Sequence, residues 1–247
     1  MFNLKARHDH SKSEVARIVQ SVNSKKESAV LDLACGAGHH CRAFAELGLK
    51  VTGLDCSSAY LRAARQFHGN KHNPIKYVQG DMRRLRLRFG SERFDLVTSL
   101  NNSFGYCTRR TDDFAVLRQI HSVLKPGGAL VINTLNASKL RSTKEFAPTV
   151  RQPLRDLFII DAVQFRPKEK SLLIVWTVID QRRSPSRPYT LSMQQNTYTH
   201  EELIGQLVSA GFGIEKVWSW LRGGDFEPRR SQHQTILARK ENNHKPA

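Results

Sequence analysis

Residues 29–45, AVLDLACGAGHHCRAFA, constrain this chain more than any other stretch. Val30, Leu31 and Leu33 form a short apolar run suited to a strand covered on both faces. Asp32 sets a carboxylate inside that run, and Gly36 and Gly38 follow it before a helix begins. Glycine reaches positive φ at little cost and lets a ligand approach the backbone closely. The first N–H groups of the helix behind it have no partner within the helix, so they are open to that ligand. Strand, glycine turn and helix start together read as the front of a nucleotide-type cofactor site on an α/β fold.

The rest of the chain supplies the sheet for that turn. Ser11 and Glu14 have the S-x-x-E spacing of a capping box, and Val15, Ile18, Val19 and Val22 share one face, which predicts a helix over 11–22. Residues 50–54 read as a second strand ending at Asp55. Ser57 or Ser58 then caps a helix with Leu61, Ala64 and Phe67 inward. Strands are predicted at 75–78, just before Gly80, Asp81 and Met82, and at 94–100, just before NNSFGY. A helix over 111–124 turns Phe114, Leu117, Ile120 and Leu124 to one side. KPGG at 125–128 ends it, and a fifth strand follows at 129–135. Helices of about a dozen residues between apolar strands imply a mostly parallel sheet with ligands at the carboxyl ends of its strands.

Past Asn136 the pattern becomes antiparallel. Residues 157–165, 171–179 and 189–198 alternate apolar and polar side chains, with a polar stretch at 146–155 ahead of them. Thr199 and Glu202 form a second capping box for a helix with Leu203, Ile204, Leu207 and Val208 inward, and Gly211 closes it. Two last strands are predicted at 213–220 and 232–239, where Trp218 and Trp220 share a face. The expected fold is therefore α/β: a doubly wound, mostly parallel seven-stranded sheet in one domain spanning 1–247. An antiparallel β layer is inserted at 146–198 near the place where a substrate would meet the cofactor, 68–74 is a polar loop, and 241–247 is a frayed tail.

Composition excludes several classes. No run approaches the roughly 18 apolar residues of a membrane span, and the first residues lack an apolar signal core, so a cytoplasmic protein is expected. The four cysteines form no C-x-x-C pair, so no metal is expected. The net charge of +17 favours contact with polyanions. The basic residues are nevertheless dispersed, and none of their runs has the length of a nucleic-acid-binding tail.

The turn admits two cofactors. A dinucleotide would want G-x-G-x-x-G, but Cys41 stands where the third glycine belongs. S-adenosylmethionine (SAM) has no pyrophosphate, and its ammonium and sulfonium are positive, so a carboxylate at Asp32 suits it. Asp55, at the end of the second strand, can accept from both ribose hydroxyls, as in either cofactor. Asp81 can accept from the adenine amino group, with Met82 packed on the ring.

With these residues in place, the chain resembles the class I SAM-dependent methyltransferases over about residues 11–240. VLDLACGAG, VTGLDCS and VQGDMRRL look like their first three motifs. FDLVTSLNNSFGY and LRQIHSVLKPGGALVINTLN look like their strand-four and helix–strand-five motifs. SFGY with LKPGG, YTHEEL at 198–203 and AGF at 210–212 are similar to a bacterial branch that methylates small molecules. The resemblance implies that Asp32 and the Gly36–Gly38 backbone hold the methionyl part, Asp55 the ribose, and Asp81 with Met82 the adenine. Leu100, Asn101 and Asn102 would line the methyl-transfer face, and Ala34, Cys35, Cys56, Leu100 and Asn101 are counted with the cofactor-binding residues. His39 and His40 depart from the Arg or Thr that many members carry there, and the segment before the first strand is short.

Methyl transfer is an in-line displacement that needs orientation and exclusion of water more than acid–base machinery. Candidate catalytic residues are Asn102, Tyr106 and His39. Candidate substrate contacts are Asn102, Phe104, Tyr106 and Tyr198. NNSF lacks the prolines of the amino-methylating [DNS]-P-P-[YF] motif. The expected reaction moves a methyl group from SAM to N or O of a small molecule. RNA is the alternative acceptor, suggested by the charge. No oligomeric state follows from the sequence.

Overall fold

A computed structural model describes residues 4–68, 74–140, 146–182, 185 and 187–241. The glycine stretch folds as expected: β1 (Ala29–Leu33), the turn, then α2 (His39–Glu46). Helix α1 (Leu4–Val22) precedes them. β2 (Lys50–Asp55), α3 (Ser58–His68), β3 (Lys76–Gln79), a 3-10 turn over Met82–Arg84 and α4 (Leu85–Phe89) follow. Next come β4 (Phe94–Ser99), α5 (Arg110–Val123), β5 (Leu124–Leu135) and α6 (Ala137–Leu140). The chain then forms β6 (Thr149–Leu154), β7 (Leu157–Arg166), β8 (Ser171–Asp180) and β9 (Tyr189–Asn196). It ends in α7 (His200–Ser209), β10 (Phe212–Trp218) and β11 (His233–Lys240).

Seven strands make one sheet in the order β10-β11-β5-β4-β1-β2-β3, and β6-β7-β8-β9 make a separate antiparallel sheet. β5, β4, β1, β2 and β3 run parallel, and only β11 opposes its neighbours. Each face of the large sheet carries its own apolar layer. Leu31 and Leu33 of β1 pack with Leu117 and Ile120 of α5 and Leu203 and Leu207 of α7. Val30 packs on the other side with Val15 and Ile18 of α1, Phe44 of α2 and Leu61 of α3. That alternation along β1 also turns Asp32 toward α2. Among the described residues no helix is long and apolar enough to cross a membrane.

Several expectations are corrected. Helix α1 begins at Leu4, so Ser11 and Glu14 lie inside it and cap nothing. Ser11 is buried there, and Glu14 instead pairs with His40 at 2.9 Å. Phe67 and Val208, expected inward, are exposed, because each falls at the edge of its helix's apolar stripe. KPGG does not separate α5 from a later strand. β5 already starts at Leu124, opposite Phe94, and KPGG is a bulge before Ala129 resumes pairing with Leu96. The 3-10 turn and α4 were unpredicted, since RRLRLRF has arginines where an apolar stripe would show. The inserted layer has a fourth strand, β6, in the stretch read as merely polar. Trp218 is buried but Trp220 is 45% exposed, because β10 stops at Trp218. The loop expected at 68–74 begins after His68, which ends α3. Residues 69–73 lie outside the described residues, as do 242–247 of the expected tail.

Candidate functional site

The turn after β1 is held in left-handed backbone: Ala34 has φ 51°, Gly36 φ 53° and Gly38 φ 79°. A Cβ at Gly36 would meet nothing within 4 Å, so its backbone is open to a ligand. Gly38 is different: a Cβ there would collide with the Tyr77 hydroxyl. Asp55, at the carboxyl end of β2, binds the turn directly. Its Oδ2 accepts the Gly36 N–H at 2.8 Å, and its Oδ1 accepts the Ser57 N–H at 2.8 Å. Each oxygen keeps a further lone pair, so the carboxylate can still accept from a diol at the rim.

The absent third glycine finds its compensation in the neighbouring strand. A Cβ at Gly53 of β2 would lie 2.8 Å from both Cys41 Sγ and Cys35 Sγ. The close approach of helix to sheet that a glycine at 41 would permit is thus provided by a glycine opposite it. Asp32 faces the same side and is 2% exposed. Its Oδ1 accepts from the Thr98 hydroxyl at 2.7 Å and its Oδ2 from the Cys41 thiol at 3.4 Å. Burial raises its pKa above the ordinary carboxylate value, which His40 and the two hydrogen bonds partly oppose. Its oxygens therefore face protein donors, and its charge reaches the turn only through space.

Asp81 is the outermost of the three acids. Arg83 clamps it, with Nη2 at 2.6 Å and Nε at 2.9 Å from Oδ2, and that pairing lowers its pKa. Met82 packs against the inner layer beside it. Cys56 is exposed at the end of β2, and Cys35 is half-buried under the turn. Burial raises the thiol pKa values of Cys41, Cys56 and Cys107, the last to about 12, so these three stay protonated near neutral pH.

Beyond β4 the chain turns sharply. Leu100 is buried, and Asn101 and Asn102 take consecutive positive φ values of 53° and 60°. Asn102 N–H donates to the Asn133 carbonyl at 3.1 Å. Tyr106 is 46% exposed. Its phenol pKa is raised by burial, then by Asp161 of β7 and Tyr60 of α3. Of the two histidines, His40 is committed to Glu14, and His39 sits half-buried at the start of α2.

Phe104 and Tyr198 do not face open space. They are 1% and 0% exposed, with rings 5.5 Å apart, and the Tyr198 hydroxyl donates to Asp113 Oδ2 at 2.7 Å. Their work is to seat the inserted sheet. Asp113, itself buried, also accepts from Asn196 Nδ2 at 2.7 Å and the Cys107 N–H at 3.2 Å. Gln195 Nε2 donates to the carbonyls of Asn102 and Phe104, and Asn196 N–H donates to the Gly105 carbonyl at 2.7 Å. The end of β9 is thereby sewn to the loop after β4. Sequence reasoning missed Thr98, Asp113, Gln195 and Asn196. The polar pair 195–196 at the end of an alternating strand was the one local signal.

The parallel strand order, the antiparallel β11 and the glycine turn after β1 together make a class I SAM-dependent methyltransferase fold. Residues 30–128 match the family described as a methyltransferase domain. Among solved structures, a SAM-dependent methyltransferase from Clostridium acetobutylicum covers 95% of this chain and 92% of its own, at a TM-score of 0.79 and 16% identity. The SAM-bound amino pentose methyltransferase CalS10 from Micromonospora echinaspora covers 95% and 91%, at 0.68 and 20%. A ubiquinone biosynthesis O-methyltransferase from Bradyrhizobium sp. is 35% identical over 131 residues, 53% of this chain and 47% of that protein. The chain spans about half the length of the curated relatives it matches.

Proposed function

We propose that this protein transfers a methyl group from SAM to an amine or hydroxyl of a small molecule. The observation that carries the reading is the open Gly36 backbone joined to the Asp55 carboxylate at 2.8 Å. The residues fit the donor: Gly36 leaves room for its methionyl chain, Asp55 can accept from its ribose, and Asp81 with Met82 stands where adenine would lie. Bound SAM supplies an electrophilic methyl group on a sulfonium. Leu100, Asn101 and Asn102 then shape the face on which the acceptor is aligned. Tyr106 is the exposed hydroxyl best placed to orient it. Asn102 and His39 remain candidates for the same work, and no general base is required for an acceptor that arrives deprotonated.

Small molecules are favoured as acceptors because the inserted sheet is sewn over the loop after β4, which narrows the approach. The relatives point the same way: one methylates in ubiquinone biosynthesis and another acts on an amino pentose. The test is isotopic methyl transfer from labelled SAM into fractions of a bacterial extract. Label in a low-mass, protein-free fraction supports the reading, and label confined to RNA overturns its acceptor half.

A second reading, methylation of RNA, has the +17 charge in its favour. It requires tRNA or rRNA binding that weakens steeply with salt, because each phosphate contact adds to the slope. Undetectable RNA binding near physiological ionic strength removes it.

A further inference from the structure

The edge of the sheet opposite the glycine turn holds a second cleft. Helix α5 starts beyond the carboxyl end of β4 and runs back along the sheet. Its last turns therefore lie at the amino ends of β4 and β5, where Phe94 pairs with Leu124. A cavity of about 370 Å³ opens there, lined by Arg86 of α4, by Arg118, Gln119, His121 and Ser122 of α5, and by Ala210. That volume suits a small ligand. None of the lining residues is a carboxylate.

At the carboxyl ends of the strands, by contrast, arginines are neutralised locally: Arg83 by Asp81, Arg109 by Asp112 and Arg110 by Glu202. Neither the Arg86 nor the Arg118 guanidinium has an ion-pair partner among the described residues. Arg84 and Arg88, beside Arg86, have none either. Beside the end of α5, Lys240 of β11 and Glu92 of the loop before β4 are paired with each other at 3.4 Å, and Arg93 adds a further positive charge in that loop. His121 is held below its ordinary pKa by burial and then by Lys240, so its ring is uncharged near neutral pH. Gln119 Oε1 accepts the Arg86 N–H at 2.9 Å, which leaves the Gln119 amide nitrogen as a donor. The cleft thus presents two guanidinium forks without an ion-pair partner among the described residues, together with the Gln119 amide donor. Guanidinium forks match a tetrahedral oxyanion bidentately.

We infer that this cleft binds a phosphoryl group through Arg86 and Arg118. The phosphoryl group belongs either to a nucleic-acid backbone or to a small phosphorylated molecule. The inference does not depend on the methyl-transfer reading, since the cleft shares no residue with the glycine turn.

Calorimetric titration with inorganic pyrophosphate at low ionic strength tests it, using the full chain, an R86Q/R118Q variant and R62Q as a control. Arg62 is an exposed arginine on α3. Pyrophosphate should bind the parent chain and R62Q, and its affinity should fall about tenfold or more in R86Q/R118Q. Binding of S-adenosylhomocysteine, measured in parallel, should be equal in all three, which separates loss of the cleft from loss of the fold. A tRNA titration assigns the source. If R86Q/R118Q also weakens tRNA and lowers its salt slope by about one to two, the phosphoryl group is that of a nucleic acid. If tRNA binding is unchanged while pyrophosphate binding is lost, it is that of a small molecule. No pyrophosphate binding by the parent chain, or an equal loss in R62Q, overturns the inference.

Discussion

Asp55 does two jobs with one carboxylate, and they can be separated. It holds the Gly36 N–H and the Ser57 N–H, and it is the candidate ribose acceptor. Asp55→Ala should lower SAM affinity by about tenfold or more, because charge-assisted hydrogen bonds are each worth about 1.5–3 kcal/mol. Calorimetry on the folded variant checks this, and an unchanged Kd would mean the donor lies elsewhere. Gly53 tests the packing beneath the turn. Its backbone is not left-handed, so Gly53→Ala adds the collision with two sulfurs at 2.8 Å and a tight contact with Tyr77 Cδ1 at 3.1 Å. That overpacking should cost about 1–3 kcal/mol in a denaturant titration. Adding Cys41→Gly should recover part of the loss, since it removes one of the sulfurs. Asp32, Asp55 and the two glycines were legible in the sequence, because residue type and spacing alone mark a strand–turn–helix ligand site. That Asp32 turns its oxygens to Thr98 and Cys41 was not legible, since Thr98 lies on a strand 66 residues away.

At the level of elements, the inserted sheet is joined to the parallel sheet through a few buried polar residues. Asp113 on α5 receives Tyr198, Asn196 and the Cys107 N–H. Asp113→Ala would take the carboxylate acceptor from the Tyr198 hydroxyl and the Cys107 N–H and leave the Asn196 amide only the Cys107 carbonyl. Such orphaned groups cost about 1–3 kcal/mol each, so the melting temperature should drop, and limited proteolysis should cut the 146–196 region faster. A variant that melts and resists cleavage like the parent would show that the sheet is seated by apolar contacts instead. The capping box of α7 is complete, with Thr199 accepting the Glu202 N–H and Glu202 accepting the Thr199 N–H. Both residues were readable three positions apart, because a capping box is a local device. The box expected at Ser11 and Glu14 failed for the same locality: spacing cannot tell that the helix had already begun seven residues earlier. Glu14 is needed inside it, where it reaches His40 on the next helix.

Two half-buried imidazoles give the whole molecule a pH dependence. Burial pushes His233 down to about 4, from an ordinary 6.5, and lowers His121 as well. Between those values the unfolded chain takes up a proton that the folded His233 refuses. Stability is therefore full above about 6.5 and drains as pH falls toward 4. Denaturant titrations at pH 7, 5.5 and 4.5 should show the decline, and His233→Gln should flatten it. A slope unchanged in that variant would place the proton uptake elsewhere. Hydrophobic periodicity and the glycine turn were sufficient for the α/β class and for a mostly parallel sheet. They act over one or two turns of chain, and local chemistry selects them. The fourth strand of the inserted sheet, the bulge at KPGG, the burial of Phe104 and Tyr198 and the cluster of unpaired arginines at the far edge were decided by the packing of the chain. Each depends on which distant residues come to lie beside it, and no local spacing carries that information.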